Sequence, residues 1–271
     1  MKKFIILSFI FAACTTSKPV ATSETAPEPV KCQSLVVNGK LFASVYQQKA
    51  AEYKALCFQA FNLARLKLDA ALSQGEGKKR KAIITDIDET ILDNSQYAIH
   101  RALTGEDYEP LSWSQWIERS EADTIAGAAH FLRYAASRGV EIFYITNRDE
   151  KDRNGTLKNL EIFNLPYADN HHLIMKRPGF SKEQWRSEIL ASNDVVLLLG
   201  DNLADFSSDF EKKTHEDRES LLKKYSLEFG DRFILIPNPV YGDWESTLYD
   251  NNYNFSLAER DSIIKAVGKT Y

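Results

Sequence analysis

The sequence has little of several features that would place a protein in a class at once. Its 271 residues include only three cysteines, carry a net charge of −4 and show no internal repeat. Because there is no excess of basic residues to neutralise phosphates, the composition argues against a nucleic-acid partner. Hydrophobic residues nevertheless make up 44% of the chain. That is ample for one domain of moderate size, or for one domain with an inserted cap.

The apolar run at residues 4–11 is too short to stay in a bilayer as a mature anchor. Residues 1–14 instead match a secretion signal, with Lys2 and Lys3 before the apolar run and small residues before Cys14. The end of this segment resembles a bacterial lipoprotein cleavage site, although Phe11 stands where leucine is usual. We therefore expect Cys14 to become a lipid-modified N-terminus; plain secretion and an uncleaved signal anchor are the alternatives.

Residues 15–31 are rich in Thr, Ser, Pro and Glu and contain few large apolar groups. Such a segment buries too little surface to offset the entropy lost on ordering, and we interpret residues 15–43 as a flexible tether. Two cysteines remain, Cys32 and Cys57. They can form a disulfide in an oxidising compartment, or Cys57 can be a small buried hydrophobic residue of a helix.

Apolar residues recur at three- and four-residue steps over residues 44–73, which predicts one long amphipathic helix. The aromatic-rich stretch 94–123 predicts a small helical cap or an ordinary satellite cluster, and His100 within it is interpreted as structural. From residue 124 onward the pattern alternates between helices and continuous apolar strands, which predicts a parallel sheet covered on both faces. The predicted strands are 82–85, 140–145, 173–175, 194–199 and 233–236, with helices at 126–137, 154–163 and 181–190.

Right-handed crossovers bring the carboxyl ends of such strands to one edge of the sheet, where ligands bind. The polar residues delivered to that edge are Asp86 and Asp88, Thr146 and Asn147, Lys176, and Asp201 with Asp205. Carboxylates without His or Cys favour Mg²⁺, while the lysine, hydroxyl and amide donors suit a phosphate beside the metal. For an isolated Asp-x-Asp, the ordinary interpretation is a strand end followed by a helix cap at Asp88 or Thr90.

The segments DIDET, ITNR, a later lysine and GDNLADF, in this order and on successive strands, resemble the four motifs of the haloacid-dehalogenase (HAD) phosphatase superfamily. The longer stretches DIDETILDNSQY, FYITNR, GDNLADF and NPVYGDWE, with the lipoprotein-type start, resemble the class C acid phosphatases of the lipoprotein e family. The likeness covers most of residues 44–244. It implies an α/β, HAD-like Rossmannoid three-layer fold for residues 44–271, with a parallel sheet and a small, mainly helical cap at about 94–123.

The resemblance implies roles for the four acids. Asp86 would be the nucleophile that forms an aspartyl-phosphate, and Asp88 the general acid and later the base that activates water. Mg²⁺ would be held by a carboxylate oxygen of Asp86, the main-chain carbonyl of Asp88 and a carboxylate oxygen of Asp201. Asp205 would order water bound to the metal.

The resemblance also implies roles for the donors around these acids. Thr146 and Asn147 would donate hydrogen bonds to the phosphoryl oxygens, while Lys176 would neutralise those oxygens and orient Asp86. Arg148 is interpreted as part of a structural ion pair on the rim of the site. Thr90 is assigned the modest role of a helix cap.

Members of this family hydrolyse nucleoside 5′-monophosphates and similar small phosphate esters, so the resemblance implies such a substrate. Tyr241 lies at the position expected to stack on the base, although it could equally pack the last loop. We therefore expect a secreted acid phosphatase or 5′-nucleotidase, anchored by lipid in the bacterial envelope, at the outer membrane. A homodimer is a family expectation. A phosphotransferase with the same intermediate, or a non-catalytic surface lipoprotein that binds a ligand, is the alternative.

Overall fold

The computed structural model describes residues 34–75 and 77–271. The predicted leader with Cys14, the tether up to residue 33 and Cys32 lie outside the described residues. The last part of the predicted tether is wrong, because residues 35–43 belong to a helix that buries Val36 and Val37. Within the described part of the chain, no helix combines the length and apolar character needed to cross a membrane.

Helices and strands alternate through most of the described chain. The helices are α1 (Leu35–Lys49), α2 (Ala51–Ser73), α3 (Ser95–Leu103), α4 (Pro110–Arg119), α5 (Ala128–Ser137), α6 (Arg153–Ile162), α7 (Lys182–Ser192), α8 (His215–Lys224), α9 (Asp243–Ser246) and α10 (Leu257–Val267). The strands are β1 (Lys81–Thr85), β2 (Leu92–Asp93), β3 (Asp123–Thr124), β4 (Glu141–Asp149), β5 (Leu173–Lys176), β6 (Asp194–Gly200) and β7 (Phe233–Leu235). Each strand predicted from the apolar pattern is present within a few residues of its predicted bounds.

Five parallel strands form one sheet in the order β5-β4-β1-β6-β7. Side chains alternate along β1, so that Ile83 packs in the core on one face while Ala82 and Ile84 pack on the other. Helices α2 and α5 supply the first face, and Ile189 of α7 packs on the second. Both faces are therefore covered, and the predicted three-layer α/β fold is confirmed.

The long helix predicted over 44–73 is two helices, because Ala50 leaves helical geometry with φ −75° and ψ 125°. The apolar stripe of α2 was predicted correctly, and its buried members are Tyr53, Cys57, Phe61, Ala64 and Leu68. Cys57 is a free, fully buried thiol that packs among these side chains. It therefore behaves as a small hydrophobic residue of the core.

The stretch predicted as a cap contains α3 and α4, enclosed by the antiparallel pair of β2 and β3. Its aromatic residues join α4 to α3 and to the residue that precedes α3. The ring centroids of Tyr97 and Trp113 lie 5.0 Å apart, and the indole N–H of Trp116 donates to Asn94 at 2.9 Å. His100 is exposed at the end of α3.

Helix α6 passes so close to the end of α4 that a side chain is excluded at Gly155. A Cβ placed there would lie 2.5 Å from the carbonyl oxygen of Ile117. The hydroxyl of Ser120 donates to the Gly155 carbonyl at 3.0 Å across the same contact. The absence of a Cβ thus fixes how closely the cap packs on the helix that follows β4.

We predict that Gly155→Ala lowers the free energy of unfolding by about 1–3 kcal/mol, the usual cost of overpacking a close contact. Gly39→Ala is the matched control, since Gly39 lies in α1 with nothing within 4 Å of an added Cβ. It should raise stability by about 0.5–1 kcal/mol through the higher helix propensity of alanine. Urea unfolding of both variants measures the difference; equal stability of the two would contradict the close contact.

Candidate active site

The central strand delivers its acids to the same edge as its neighbour β6. The backbone N–H of Asp86 donates to the Leu199 carbonyl at 3.0 Å, which extends the pairing of β1 with β6 by one residue. Carboxylate oxygens of Asp86, Asp201 and Asp205 all lie within 4.8 Å of one another. The structure therefore brings together three of the four acids singled out in the sequence as one potential metal-binding group.

The position of Asp205 depends on a glycine at the end of β6. A Cβ at Gly200 would lie 2.4 Å from the Cβ of Asp205, so only glycine allows the carboxylate to fold back over the strand end. The backbone N–H of Asn202 donates to the same carboxylate at 3.0 Å. This close return explains why a glycine precedes the acid pair in GDNLAD.

Asp201 is held by two side chains for which the sequence analysis predicted no such role. The amide of Asn238, in the loop after β7, donates to Asp201 Oδ2 at 2.7 Å. The hydroxyl of Thr90 donates to Asp201 Oδ1 at 3.1 Å and is completely buried. The prediction that Thr90 is a helix cap is wrong, because the chain after it enters β2 and no helix begins there.

The lysine beside these acids is Lys182, and the prediction of Lys176 is wrong. Lys182 Nζ lies 2.5 Å from Asp86 Oδ1 and 2.7 Å from Asp205 Oδ1, with the lysine side chain only 10% exposed. Lys176, the last residue of β5, is 58% exposed and its nearest carboxylate is Asp149 at 3.8 Å. Because β5 is an edge strand of the sheet, a lysine at its end lies too far from the acids that follow β1 and β6. The loop after β5 instead brings Lys182 to these acids.

The beginning of α7 explains why Lys182 points inward. Ser181 caps the helix and forms a capping box with Gln184, which fixes Lys182 as the first helical residue. A cation at this end is unfavourable for the helix dipole, and its contacts with two carboxylates compensate for that. Arg186, one turn later, donates to the backbone carbonyls of Ala204 and Asp205 at 3.1 and 2.9 Å. Helix α7 is therefore fixed to the turn that carries Asp205.

Asp88 is held by a buried arginine. Arg148 Nη2 lies 2.7 Å from Asp88 Oδ1, and its Nε lies 3.0 and 3.2 Å from the two carboxylate oxygens. Arg148 is 3% exposed and also donates to Thr156 at 3.0 Å, while the amide of Asn94 donates to Asp88 at 2.9 Å. Arg148 does form an ion pair, but it lies inside the site and not on the rim.

Glu89 turns the chain out of the first strand and was missed by the sequence analysis. Its φ of 57° lies in the left-handed region, which is uncommon for residues other than glycine. The buried carboxylate accepts from the backbone N–H of Asn94 at 2.8 Å and from the hydroxyl of Tyr241. Burial raises the pKa of Glu89 to about 8. Its place within the DIDET motif was the only signal available.

Burial dominates the electrostatics of the acid group. Burial raises the pKa of Asp86, and repulsion from Asp205 and Asp88 adds to this, while Lys182 opposes it. The pKa of Asp201 rises for the same reasons, with Asp205 and Asp86 as the repelling charges. Burial disfavours the charge on Lys182, but Asp205 and Asp86 raise its pKa above the ordinary lysine value. The single positive charge of Lys182 therefore compensates only part of the negative charge of the three carboxylates.

These residues fit a divalent cation. Three carboxylates that offer oxygens within 4.8 Å of one another form a donor set of hard oxygen ligands. Burial and mutual repulsion raise the pKa values of Asp86 and Asp201, and the same two causes favour a cation beside these carboxylates. The group contains Asp205, which the sequence analysis placed outside the metal's ligands.

A cavity of about 850 Å³ opens above these acids. Residues from the central strand end, the cap, the last loop and the C-terminal helix line it, among them Asp86, Tyr97, Asn147, Tyr241 and Arg260. Asn147 is exposed toward solvent, whereas Thr146 is 2% exposed and accepts from the Arg148 backbone N–H at 3.1 Å. The cavity is roomy enough for a drug-sized molecule, since such pockets span about 300–1,000 Å³.

Comparison with known proteins gives consistent matches. The family model described as HAD superfamily, subfamily IIIB (acid phosphatase), matches residues 10–244. The class C acid phosphatase from Bacillus anthracis is 41% identical in sequence, with a TM-score of 0.83 over 87% of this chain and 99% of that chain. A structure of the same enzyme with tungstate bound gives 41% identity and a TM-score of 0.83, over 88% and 99% of the two chains.

A curated relative from a plant matches over a shorter region. "Acid phosphatase 1" from Solanum lycopersicum is 28% identical over 165 residues, which is 60% of this chain and 59% of the plant protein. The chain thus spans about three fifths of the length of this curated relative.

We predict that Lys182→Met, measured in metal-free protein, lowers the free energy of unfolding by about 3–5 kcal/mol, because it leaves buried carboxylates without their cation. Lys176→Met is the matched control and should change stability by less than about 0.5 kcal/mol, as expected for an exposed side chain. Urea unfolding in the presence of EDTA compares them. Similar losses for both lysines would contradict the assignment of Lys182.

Proposed function

This chain belongs to subfamily IIIB (acid phosphatase) of the HAD superfamily, and we propose that it hydrolyses small phosphomonoesters through a phosphorylated Asp86. The observation that carries the proposal is the group of Asp86, Lys182, Asp201 and Asp205 below an open cavity, with Asp86 and Asp205 buried and the other two half-buried. Phosphate-ester hydrolysis needs a nucleophile, and it needs positive charge beside the negatively charged oxygens of the phosphoryl group. This group supplies both.

Asp86 acts as the nucleophile in this proposal. One of its carboxylate oxygens attacks phosphorus, the bond from phosphorus to the ester oxygen breaks, and an aspartyl-phosphate forms. Lys182, 2.5 Å from Asp86 Oδ1, fixes the orientation of the carboxylate and balances the charge of the incoming phosphate. This is the role that the sequence analysis gave to Lys176.

Asp88 transfers the proton. It donates to the leaving alkoxide in the first step, then takes a proton from the water that hydrolyses the aspartyl-phosphate and releases phosphate. Arg148 and Asn94 hold this carboxylate in place through hydrogen bonds of 2.7 and 2.9 Å. The backbone turns at Glu89, immediately after Asp88. The Asp88 side chain is one of those that line the cavity.

We assign the divalent cation as Mg²⁺, since the available ligands are oxygens alone. Asp86 and Asp201 would hold it with the main-chain carbonyl of Asp88, and Asp205 would contribute directly or through water. When bound, the cation neutralises charge on the phosphoryl oxygens. Asn147, exposed in the cavity, and the Thr146 hydroxyl would donate hydrogen bonds to the same oxygens. The Bacillus anthracis enzyme has a structure with tungstate, an oxyanion, bound, which supports oxyanion binding by this chain.

We propose nucleoside 5′-monophosphates as substrates. The cavity of about 850 Å³ leaves space beyond the phosphate position for a sugar and a base. Tyr241 lines this space, and its hydroxyl is fixed by Glu89, so the ring is held in one orientation. A fixed aromatic ring is a suitable surface for stacking a base.

We further propose that the protein is lipid-anchored in the bacterial envelope, at the outer membrane. The segment before Cys14 and the composition of the residues that follow it support this. A palmitate-labelling experiment compares the full chain with Cys14→Ala. We expect label in the wild type and none in the variant; an unlabelled wild type would contradict the anchor.

The proposed activity is tested by phosphate release from a nucleoside monophosphate in the presence of Mg²⁺. We expect EDTA to abolish release and Asp86→Asn to lower it by at least about 10⁴-fold, as for removal of other catalytic nucleophiles. Asp149→Asn is the matched control, because Asp149 ends β4 nearby but is exposed, and it should keep activity. Full activity in Asp86→Asn would remove the nucleophile assignment.

We predict that Tyr241→Ala lowers kcat/KM for nucleotides by about tenfold, since stacking on a base contributes about 1–3 kcal/mol. Turnover of a small phosphate ester without a base should change less. Tyr241→Phe keeps the ring and removes only the hydroxyl that donates to Glu89, so it should keep the preference for nucleotides. Equal losses for both kinds of substrate in Tyr241→Ala would contradict stacking.

A further inference from the structure

A second group of potential metal ligands lies at the edge of the sheet opposite the acids. Glu141 is the first residue of β4, while His171 and His172 directly precede β5. These two strands are parallel neighbours, so their starting residues lie together and away from the carboxyl ends. One oxygen and two ring nitrogens of these three residues lie within 4.8 Å of one another.

His172 has carboxylates at both ring nitrogens. Nδ1 lies 2.8 and 2.9 Å from the two oxygens of Asp169, and Nε2 lies 3.0 Å from Glu141 Oε1. A neutral imidazole carries a proton on one nitrogen only. With that proton directed at Asp169, the lone pair of Nε2 and a carboxylate oxygen face each other at 3.0 Å. Positive charge is therefore needed at this position, either as a second proton on the imidazole or as a metal ion.

We propose that Glu141, His171 and His172 bind a divalent transition metal of the zinc type. Zn²⁺ takes imidazole and carboxylate ligands with bonds of about 2.0–2.2 Å in a tetrahedral arrangement. Two such ligand atoms stand about 3.3 Å apart, close to the 3.0 Å between His172 Nε2 and Glu141 Oε1. Water would complete the coordination.

The surroundings support a metal over a simple proton on His172. A metal-binding histidine usually donates its other ring N–H to a carboxylate, as His172 does to Asp169. The second Glu141 oxygen accepts from the amide of Asn193 at 2.8 Å, which orients the ligand. With only a proton on His172, the exposed ring of His171 has ring contacts with Phe143 and His172, and among the described residues no hydrogen bond holds it.

One cation already approaches this group. The guanidinium of Arg80 lies 3.8 Å from Glu141 Oε1, but its side chain is 65% exposed and is free to turn toward solvent. The two groups of potential metal ligands also differ in the atoms they offer. The acids below the cavity offer only oxygen, whereas this group offers nitrogen ligands that favour zinc over magnesium.

The test measures Zn²⁺ binding to the full chain by equilibrium dialysis in micromolar Zn²⁺, with millimolar Mg²⁺ to occupy the oxygen-only group. We expect one Zn²⁺ per chain in the wild type. His171→Ala should weaken binding by more than about 100-fold, and Asp169→Asn by about 10- to 100-fold, as for other outer partners of metal ligands. His130→Ala, another exposed histidine, is the matched control and should bind like the wild type.

Because His171 is exposed, its replacement should not prevent folding, which circular dichroism verifies. Addition of Zn²⁺ should raise the Tm of the wild type and of His130→Ala, and leave that of His171→Ala unchanged. Absence of Zn²⁺ from the wild type, or undiminished binding in His171→Ala, would overturn the proposal. Both results are independent of phosphatase activity, so they leave the proposed function untouched.

Discussion

The structure depends most on the compensation of three close carboxylates at the carboxyl ends of β1 and β6, two of them buried and one half-buried. Asp86, Asp201 and Asp205 offer oxygens within 4.8 Å of one another, an arrangement that is unfavourable unless positive charge is supplied. Lys182 supplies one charge through contacts of 2.5 and 2.7 Å. The remaining negative charge makes this place suited to a cation and, with it, to a phosphate ester.

The fold meets this requirement by bringing separate parts of the chain to one point. The order β5-β4-β1-β6-β7 places β1 between the strands that carry Arg148 and Gly200. The capped start of α7 brings in the lysine, and the loop after β7 brings in Asn238, which fixes Asp201 at 2.7 Å. Glu89 and Tyr241 then connect the strand end to the wall of the cavity. Different elements of the fold thus determine the charge of the site, the positions of its side chains and the shape of the cavity above it.

Much of this arrangement could be predicted from the sequence, because apolar strands and strand-end acids have strong local patterns. Lys182 could not, since its place depends on the path of the loop after β5 and not on periodicity. Thr90 was assigned a cap because Thr after an acid pair is typical of one, whereas its hydroxyl reaches Asp201 across the sheet. The sequence analysis missed the break at Ala50, because the apolar pattern continues through it. It also missed the helical residues 35–43, because they follow a polar segment that was interpreted as a tether.

The central claim is that Asp86 carries the phosphoryl group during turnover. The most direct measurement mixes the full chain rapidly with a phosphate ester labelled in its phosphate, stops the reaction in acid and maps the labelled peptide. The account predicts label on the peptide that contains Asp86, and none after Asp86→Asn. Label on another residue, or turnover by the wild type with no labelled protein at any time, would contradict it.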